Sequence, residues 1–136
     1  MARKATRKLI FTLLFQADFG QPIDYALALE EFPHPVDQQF LRETVENVLA
    51  HKDILDQIIA EFARGWTADR LARVDRAILR LGAWELLGTD IPPAVAINEA
   101  VELAKEYGGA DSPAFVNGIL DSIRARREEL AARLEG

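Results

Sequence analysis

Residues 74–87 read VDRAILRLGAWELL. Val74, Ile78, Leu79, Leu81 and Leu86 recur at intervals that lay them on one face of an α-helix, with no two-residue alternation to compete. The stretch therefore predicts a helix with Asp75 as its N-cap, running through Leu87. Arg73, Arg76 and Arg80 form a second stripe at helical spacing, with Trp84 one turn further on. Such a stripe binds phosphate or pairs with acids of a neighbouring helix. The chain offers 22 acids, so pairing is the default. Trp84 is read as a core or subunit contact.

Working outward, the same periodicity covers nearly the whole chain. Glycine and proline fall between the periodic segments, at Gly20 and Pro22, Pro33 and Pro35, Gly65, Gly88 to Pro93, and Gly108-Gly109. These are helix boundaries, because proline cannot continue a helix and glycine ends one cheaply. The expected map is about seven helices: Arg3 to Phe19, Asp24 to Phe32, Asp37 (as cap) to Ala50, Asp53 to Ala63, Asp75 to Leu87, Ala94 to Tyr107, and Ser112 to Arg133. Thr67 would cap a short turn. Whether the third and fourth helices are continuous is open from the sequence. Ser112-Pro113 supplies a cap and a first-turn proline for the last helix, and Gly118 within it is read as allowing close helix–helix approach. The fold class is an all-α, compact helical bundle. It is one domain, residues 1–136, with small helical subdomains at about 1–63 and 66–136 joined by a junction too short for a flexible linker.

Composition narrows the function. The 136 residues suffice for one core, and 49% hydrophobic with 28% charged residues is a globular balance. The chain has no cysteine, two histidines (His34, His51) and two serines (Ser112, Ser122). Thiolate chemistry, a serine–histidine triad and a histidine metal cage have almost nothing to be built from, so no catalytic residue, metal or cofactor is assigned. Glu99 and Glu102 lie one turn apart and are read as solvated rather than as an acid–base pair. No apolar run approaches the roughly 18 residues needed to cross a bilayer. The basic start followed by Leu9 to Phe15 is a poor signal peptide, lacking a clear small-residue cleavage site. The expectation is a noncatalytic, cytoplasmic binding protein without a membrane partner.

The formal net charge of −6 conceals an asymmetry. Residues 1–17 carry Arg3, Lys4, Arg7 and Lys8 and no acid, whereas the remainder sets 12 bases against all 22 acids. An acidic body repels nucleic acid, so any contact must use local basic surface, while the same body suits a basic protein partner. At roughly 100° per residue, the first helix buries Leu9, Ile10, Leu13, Leu14 and Ala17. Its other face aligns Phe11 and Phe15 with Arg3, Lys4, Arg7 and Lys8. Cations that meet phosphates beside rings that stack on unpaired bases favour single-stranded RNA or DNA. Packing of both rings against a neighbouring helix is the alternative.

The strings VDRAILRLGAWELL, IPPAVAINEAVELAKEYG and DSPAFVNGILDSI, together with the opening RKATRKLIFTLLFQAD, closely resemble the NusB family of transcription antitermination factors. The resemblance spans nearly the whole chain and is weakest from Gly20 to Gly65. It implies an all-helical fold of two subdomains that binds the boxA segment of nascent single-stranded RNA together with NusE, a small ribosomal subunit protein. The pair acts within the transcription elongation complex and helps RNA polymerase read through, notably on ribosomal RNA operons. By position, the RNA-contacting helix maps onto Arg3, Lys4 and Arg7 with its aromatic at Phe15; Arg80 and Phe115 are also implied on the RNA side. Asp111 is implied as a functional acid, and Asp75 as lying near the protein-partner side; each also reads as a helix-start acid. Phe15 stands where tyrosine is frequent, and Ala114 where some relatives carry a base. A homodimer is left open.

Two other classes compete. One is a protein-interaction bundle without RNA contact. The other is the accessory module of ribosomal RNA cytosine methyltransferases, which continue into a cofactor-binding α/β domain. This chain ends at Gly136 without a glycine-rich strand–helix turn or a nucleophilic cysteine, and the methyltransferase reading is set aside.

Overall fold

The computed structural model describes residues 3–63 and 71–135. These form eight helices and no strand: α1 (Arg3–Ala17), α2 (Tyr25–Glu31), α3 (Gln38–Ala50), α4 (Lys52–Phe62), α5 (Arg73–Gly88), α6 (Pro93–Tyr107), α7 (Ser112–Ala125) and α8 (Arg127–Leu134). The all-α bundle is the one expected. None of these helices is long and apolar enough to cross a membrane.

The stretch quoted first forms the centre. α5 buries residues on every side, from Arg76 to Leu87, and packs against α1, α3, α4, α6, α7 and α8. A helix buried nearly all round belongs in the interior of a bundle, and the charged residues it carries there must find partners. Its closest approach is at Gly82, where a Cβ would stand 2.6 Å from Leu120 Cδ1 on α7 and 3.4 Å from the Ala100 Cβ on α6.

Local chemistry sets the boundaries. The Asp24 and Asp37 carboxylates accept hydrogen bonds from the backbone N–H groups of Leu27 and Phe40, each at 3.0 Å, capping α2 and α3 as expected. The Asp37 N–H in turn donates to Thr6 Oγ1 at 2.9 Å, tying the start of α3 to α1. α1 ends at Ala17 rather than Phe19: Asp18 to Gly20 form a turn in which Gly20, at φ +82°, donates to the Ala17 carbonyl. His51 separates α3 from α4.

Four further boundary expectations need correction. α5 begins at Arg73, so Asp75 lies in its first turn and is not the N-cap; Ala72 occupies that position without a side-chain bond. α6 begins at Pro93, one residue early, because proline is preorganised for a first helical position. Ser112 lies inside α7, and its Oγ accepts from the Gly109 N–H at 3.0 Å; Asp111 holds the cap position without a side-chain bond. The expected last helix is two helices, broken at Arg126. The break lets Leu130 bury fully while Arg127 donates to the carbonyls of Leu86 (2.7 Å) and Thr89 (3.3 Å), closing the C-terminal end of α5. Gly118 is exposed and a Cβ there would meet nothing within 4 Å, so the close approach read for it belongs to Gly82. The turn expected at Thr67 lies outside the described residues.

Two charged clusters bind α1 to α5. Arg7, only 5% exposed, donates its Nε–H to both carboxylate oxygens of Glu85 at 3.0 and 3.2 Å. Burial pushes the Glu85 carboxyl up against the opposing pull of the Arg7 charge. Just beyond α1, Asp18 accepts from Arg76 and, at 3.2 Å, from Arg80; Arg80 also grips Asp56 on α4 through two 2.7 Å bonds. Burial raises the Asp18 carboxyl, but the bonds and charges of Arg76 and Arg80 outweigh it and hold the group below its ordinary range.

These contacts generate three expectations. Gly82→Ala forces Leu120 to move and costs about 1–3 kcal/mol, whereas Gly118→Ala is neutral or stabilising by up to about 1 kcal/mol; urea denaturation of both variants measures the contrast. Arg7→Met strands the buried Glu85 carboxylate and lowers the unfolding free energy by about 3–5 kcal/mol, while Glu85→Leu on the Arg7→Met background recovers much of it. Asp18 ionises more readily folded than unfolded. Its contribution is therefore present above its unfolded value and lost as pH falls through the lower, folded one. Asp18→Asn accordingly shallows the acid limb of a stability–pH curve.

Candidate nucleic-acid interface

α1 inserts between α3 and α5 with α6 alongside, so its buried arc is wider than a simple two-faced helix. Of the expected cationic stripe, Arg3 and Lys4 are exposed and Lys8 is half-buried. The Arg3 guanidinium lies 4.4 Å from the Phe40 ring centroid. Lys4 Nζ stands 3.5 Å from Glu99 and Lys8 Nζ 3.0 Å from Glu106, both acids being on α6. Surface pairs of this kind contribute about 0–1 kcal/mol and are screened by salt, so a phosphate can replace either carboxylate.

Arg7 and Phe11 depart from the expected geometry: both stand behind the surface, not on it. Arg7 is committed to Glu85 as described. Phe11, 4% exposed, stacks on Tyr107 (centroids 4.7 Å apart, 26° between planes) and on Phe15 (6.0 Å, 27°). The packing alternative therefore describes Phe11, while Phe15 remains half-buried at the surface. Tyr107, 38% exposed, ends the stack on the α6 side. Burial and its hydrogen bond to Glu106 push the Tyr107 hydroxyl up to about 12, so it stays protonated under all ordinary conditions. The same bond and Lys8 hold Glu106 below its usual range, keeping it anionic.

Arg80 is likewise interior, its guanidinium occupied by Asp56 and Asp18, and burial is outweighed by those two acids in keeping it charged. The arginine stripe of α5 thus follows the pairing default. Phe115 is half-buried against the core near the start of α7. Asp111 is exposed and free of a capping bond. Asp75 is half-buried, and its Oδ1 has no hydrogen-bond partner among the described residues. Arg3, Lys4, Lys8, Phe11 and Phe15 thus share α1, with Arg7 behind them on Glu85 and Arg80 past the far end of the helix on Asp18 and Asp56.

Sequence reasoning missed Glu85, Asp18 and Asp56. Glu85 had a usable signal, since a lone acid within the apolar run from Leu81 to Leu87 must either face water or find a cation. Asp18 and Asp56 had none, because their partners lie 58 and 24 positions away, on α5. Among the described residues no group of three or more histidine or acidic side chains is placed to hold a metal ion.

The family model described as NusB family matches residues 4–125. The chain is 42% identical to the transcription antitermination protein NusB of Beutenbergia cavernae, over 96% of this chain and 97% of that one. It is 40% identical to the Bacillus subtilis protein of the same name, over 95% and 99%. Among solved structures, T. maritima NusB superposes with a TM-score of 0.82 at 36% identity, covering 96% of each chain. A complex of the antitermination factors NusB and NusE with double-stranded RNA gives 0.80 at 28% identity, covering 91% of this chain and 96% of that one. Over nearly its full length, in both sequence and fold, this chain belongs to the NusB family.

Proposed function

We propose that this protein is a noncatalytic, cytoplasmic transcription antitermination factor. It binds boxA-type single-stranded RNA together with NusE and supports read-through by RNA polymerase on ribosomal RNA operons. The observation that carries the RNA assignment is the rim of α1, where Lys4 and Lys8 line the side facing α6 that also carries the stacked rings of Tyr107, Phe11 and Phe15, with Arg3 exposed at the start of the helix over Phe40. Cations for phosphates and a ring at the surface for a base are the two elements of single-strand binding. A second cluster of bases, Arg124, Arg126 and Arg127, is followed at once by Glu128 and Glu129, and Arg126 and Arg127 are engaged by Glu129 and by the carbonyl of Leu86. Membership of the NusB family, and a family relative solved with NusE and RNA, support the partner assignment.

Roles divide by burial. Arg3, Lys4 and Lys8 meet phosphates, Phe15 and Phe115 offer rings, and Phe11 backs Phe15. Arg7 and Arg80 act by holding α1 and α5 in place. Asp111, exposed at the start of α7, and Asp75, half-buried in the first turn of α5, are the acids assigned to a basic partner. Few cations of α1 reach the surface, so affinity for RNA alone is modest, and NusE extends the surface.

Anisotropy of a labelled single-stranded boxA RNA, with and without NusE, tests the reading beside a scrambled RNA. Lys4→Ala/Lys8→Ala is expected to weaken binding roughly tenfold at about 0.1 M salt and to shallow the salt dependence by about 1.4 logarithmic units per decade, two single-strand contacts' worth. NusE binding should survive. Equal affinity for boxA and scrambled RNA, with NusE still bound, would leave a protein-interaction bundle instead.

A further inference from the structure

α6 turns a row of acids toward α1. Glu99, Glu102 and Glu106 follow one another at three and four positions, which puts them on one face of the helix. With Lys4, Lys8 and Leu103 they line a small cleft between the two helices. Glu99 pairs with Lys4 at 3.5 Å and Glu106 with Lys8 at 3.0 Å, while Glu102 takes Lys105 on its own helix at 3.4 Å. Both lysines of the rim are thus already held by carboxylates.

The two pairs differ in which member can leave. Lys4 is 64% exposed and Glu99 only 24%, so the lysine is the free end of that pair. Glu106 is fixed by its hydrogen bond to Tyr107, and Lys8, at 38%, is the less exposed of the two lysines. A phosphate can draw Lys4 away from Glu99, but at Lys8 it must share the ammonium with an anion that stays. The acids add little to the fold, because pairs this exposed are weak. Glu99 even opposes ionisation of the buried Glu85.

We propose that Glu99 and Glu106 are resident competitors of RNA: their carboxylates occupy Lys4 and Lys8 where phosphates would bind, and so hold down the affinity of the chain alone for any RNA. This rests on the reading of α1 as an RNA-binding face. The contest is between anions for an ammonium, so it is blind to base sequence and fades as salt screens it. Acids that instead preorganised the lysines for phosphate would act with the opposite sign.

The test uses the full chain without a partner and two fluorescent single-stranded RNAs, one boxA-type and one scrambled, in a salt series. Glu99→Gln/Glu106→Gln should tighten both RNAs about 3- to 10-fold at about 0.05 M salt, the effect of removing two charges roughly 6 Å from phosphate. The gain should shrink as salt rises. On the Lys4→Ala/Lys8→Ala background the same substitutions should change binding by less than about twofold, since the contested cations are gone. Glu30→Gln/Glu31→Gln, exposed on α2 and equal in charge change, should also stay within about twofold of wild type. Circular dichroism melts verify that each variant keeps its fold. If the Glu99/Glu106 variant binds as wild type does, or more weakly, while Lys4→Ala/Lys8→Ala weakens binding, the competition is wrong and the α1 reading stands. If Lys4→Ala/Lys8→Ala changes nothing, or if neither wild type nor the Glu99/Glu106 variant binds either RNA, both fall. A gain matched by Glu30→Gln/Glu31→Gln is a bulk charge effect and overturns the proposal, as does a gain confined to boxA.

Discussion

The buried pair between Arg7 and Glu85 is the constraint around which the molecule is arranged. A carboxylate buried within the central helix must have a partner, and α1, with four bases near its start, supplies it. Pairing draws Arg7 inward and fixes the rotation of α1 about its axis. Once that rotation is set, Arg3, Lys4 and Lys8 fall on the rim, and Phe11 turns onto Tyr107. The Asp18 cluster repeats the arrangement at the other end of α1, where Arg76 and Arg80 from α5 close on a single acid. α1 is thus clasped to α5 at both ends, and the face between the clasps is held in one orientation.

That clasping explains why the cationic rim is small. Four bases open the chain, yet one is spent inside and two lean on acids of α6. The remaining field is weak against an acidic body, which favours recognition by stacking and by a basic partner over simple attraction of any polyanion. Aromatic contacts between Tyr107, Phe11 and Phe15 provide the flat, rigid part of the surface, and a rigid surface loses little freedom on binding.

Much of this is legible in the sequence. The period of residues 74–87 announces a helix, and the glycines and prolines divide the chain at nearly the observed places. The paired fate of the α5 arginines also follows from the excess of acids. What escapes depends on packing in three dimensions. Helical spacing places Arg7 beside Phe11, but whether that strip faces water depends on α3, α5 and α6, which converge on it from distant parts of the sequence. Gly118 looks like the close-packing glycine because it lies in a helix; Gly82 fills that role because Leu120 and Ala100 converge on α5 there. The break at Arg126 has no glycine or proline to mark it and arises because Arg127 reaches back to the carbonyls ending α5. The family motifs identify the role, whereas only burial separates surface residues of α1 from those that hold it to α5.

In the function proposed above, RNA meets the α1 rim and its aromatic row. Ultraviolet cross-linking of the wild-type chain to single-stranded boxA RNA in the presence of NusE, with adducts located by peptide mass spectrometry, addresses it directly. Adducts are expected on Lys4, Lys8, Phe15 and Tyr107 and none on the buried Arg7 or Arg80. Adducts confined to other helices, with α1 and Tyr107 unmodified, would contradict it.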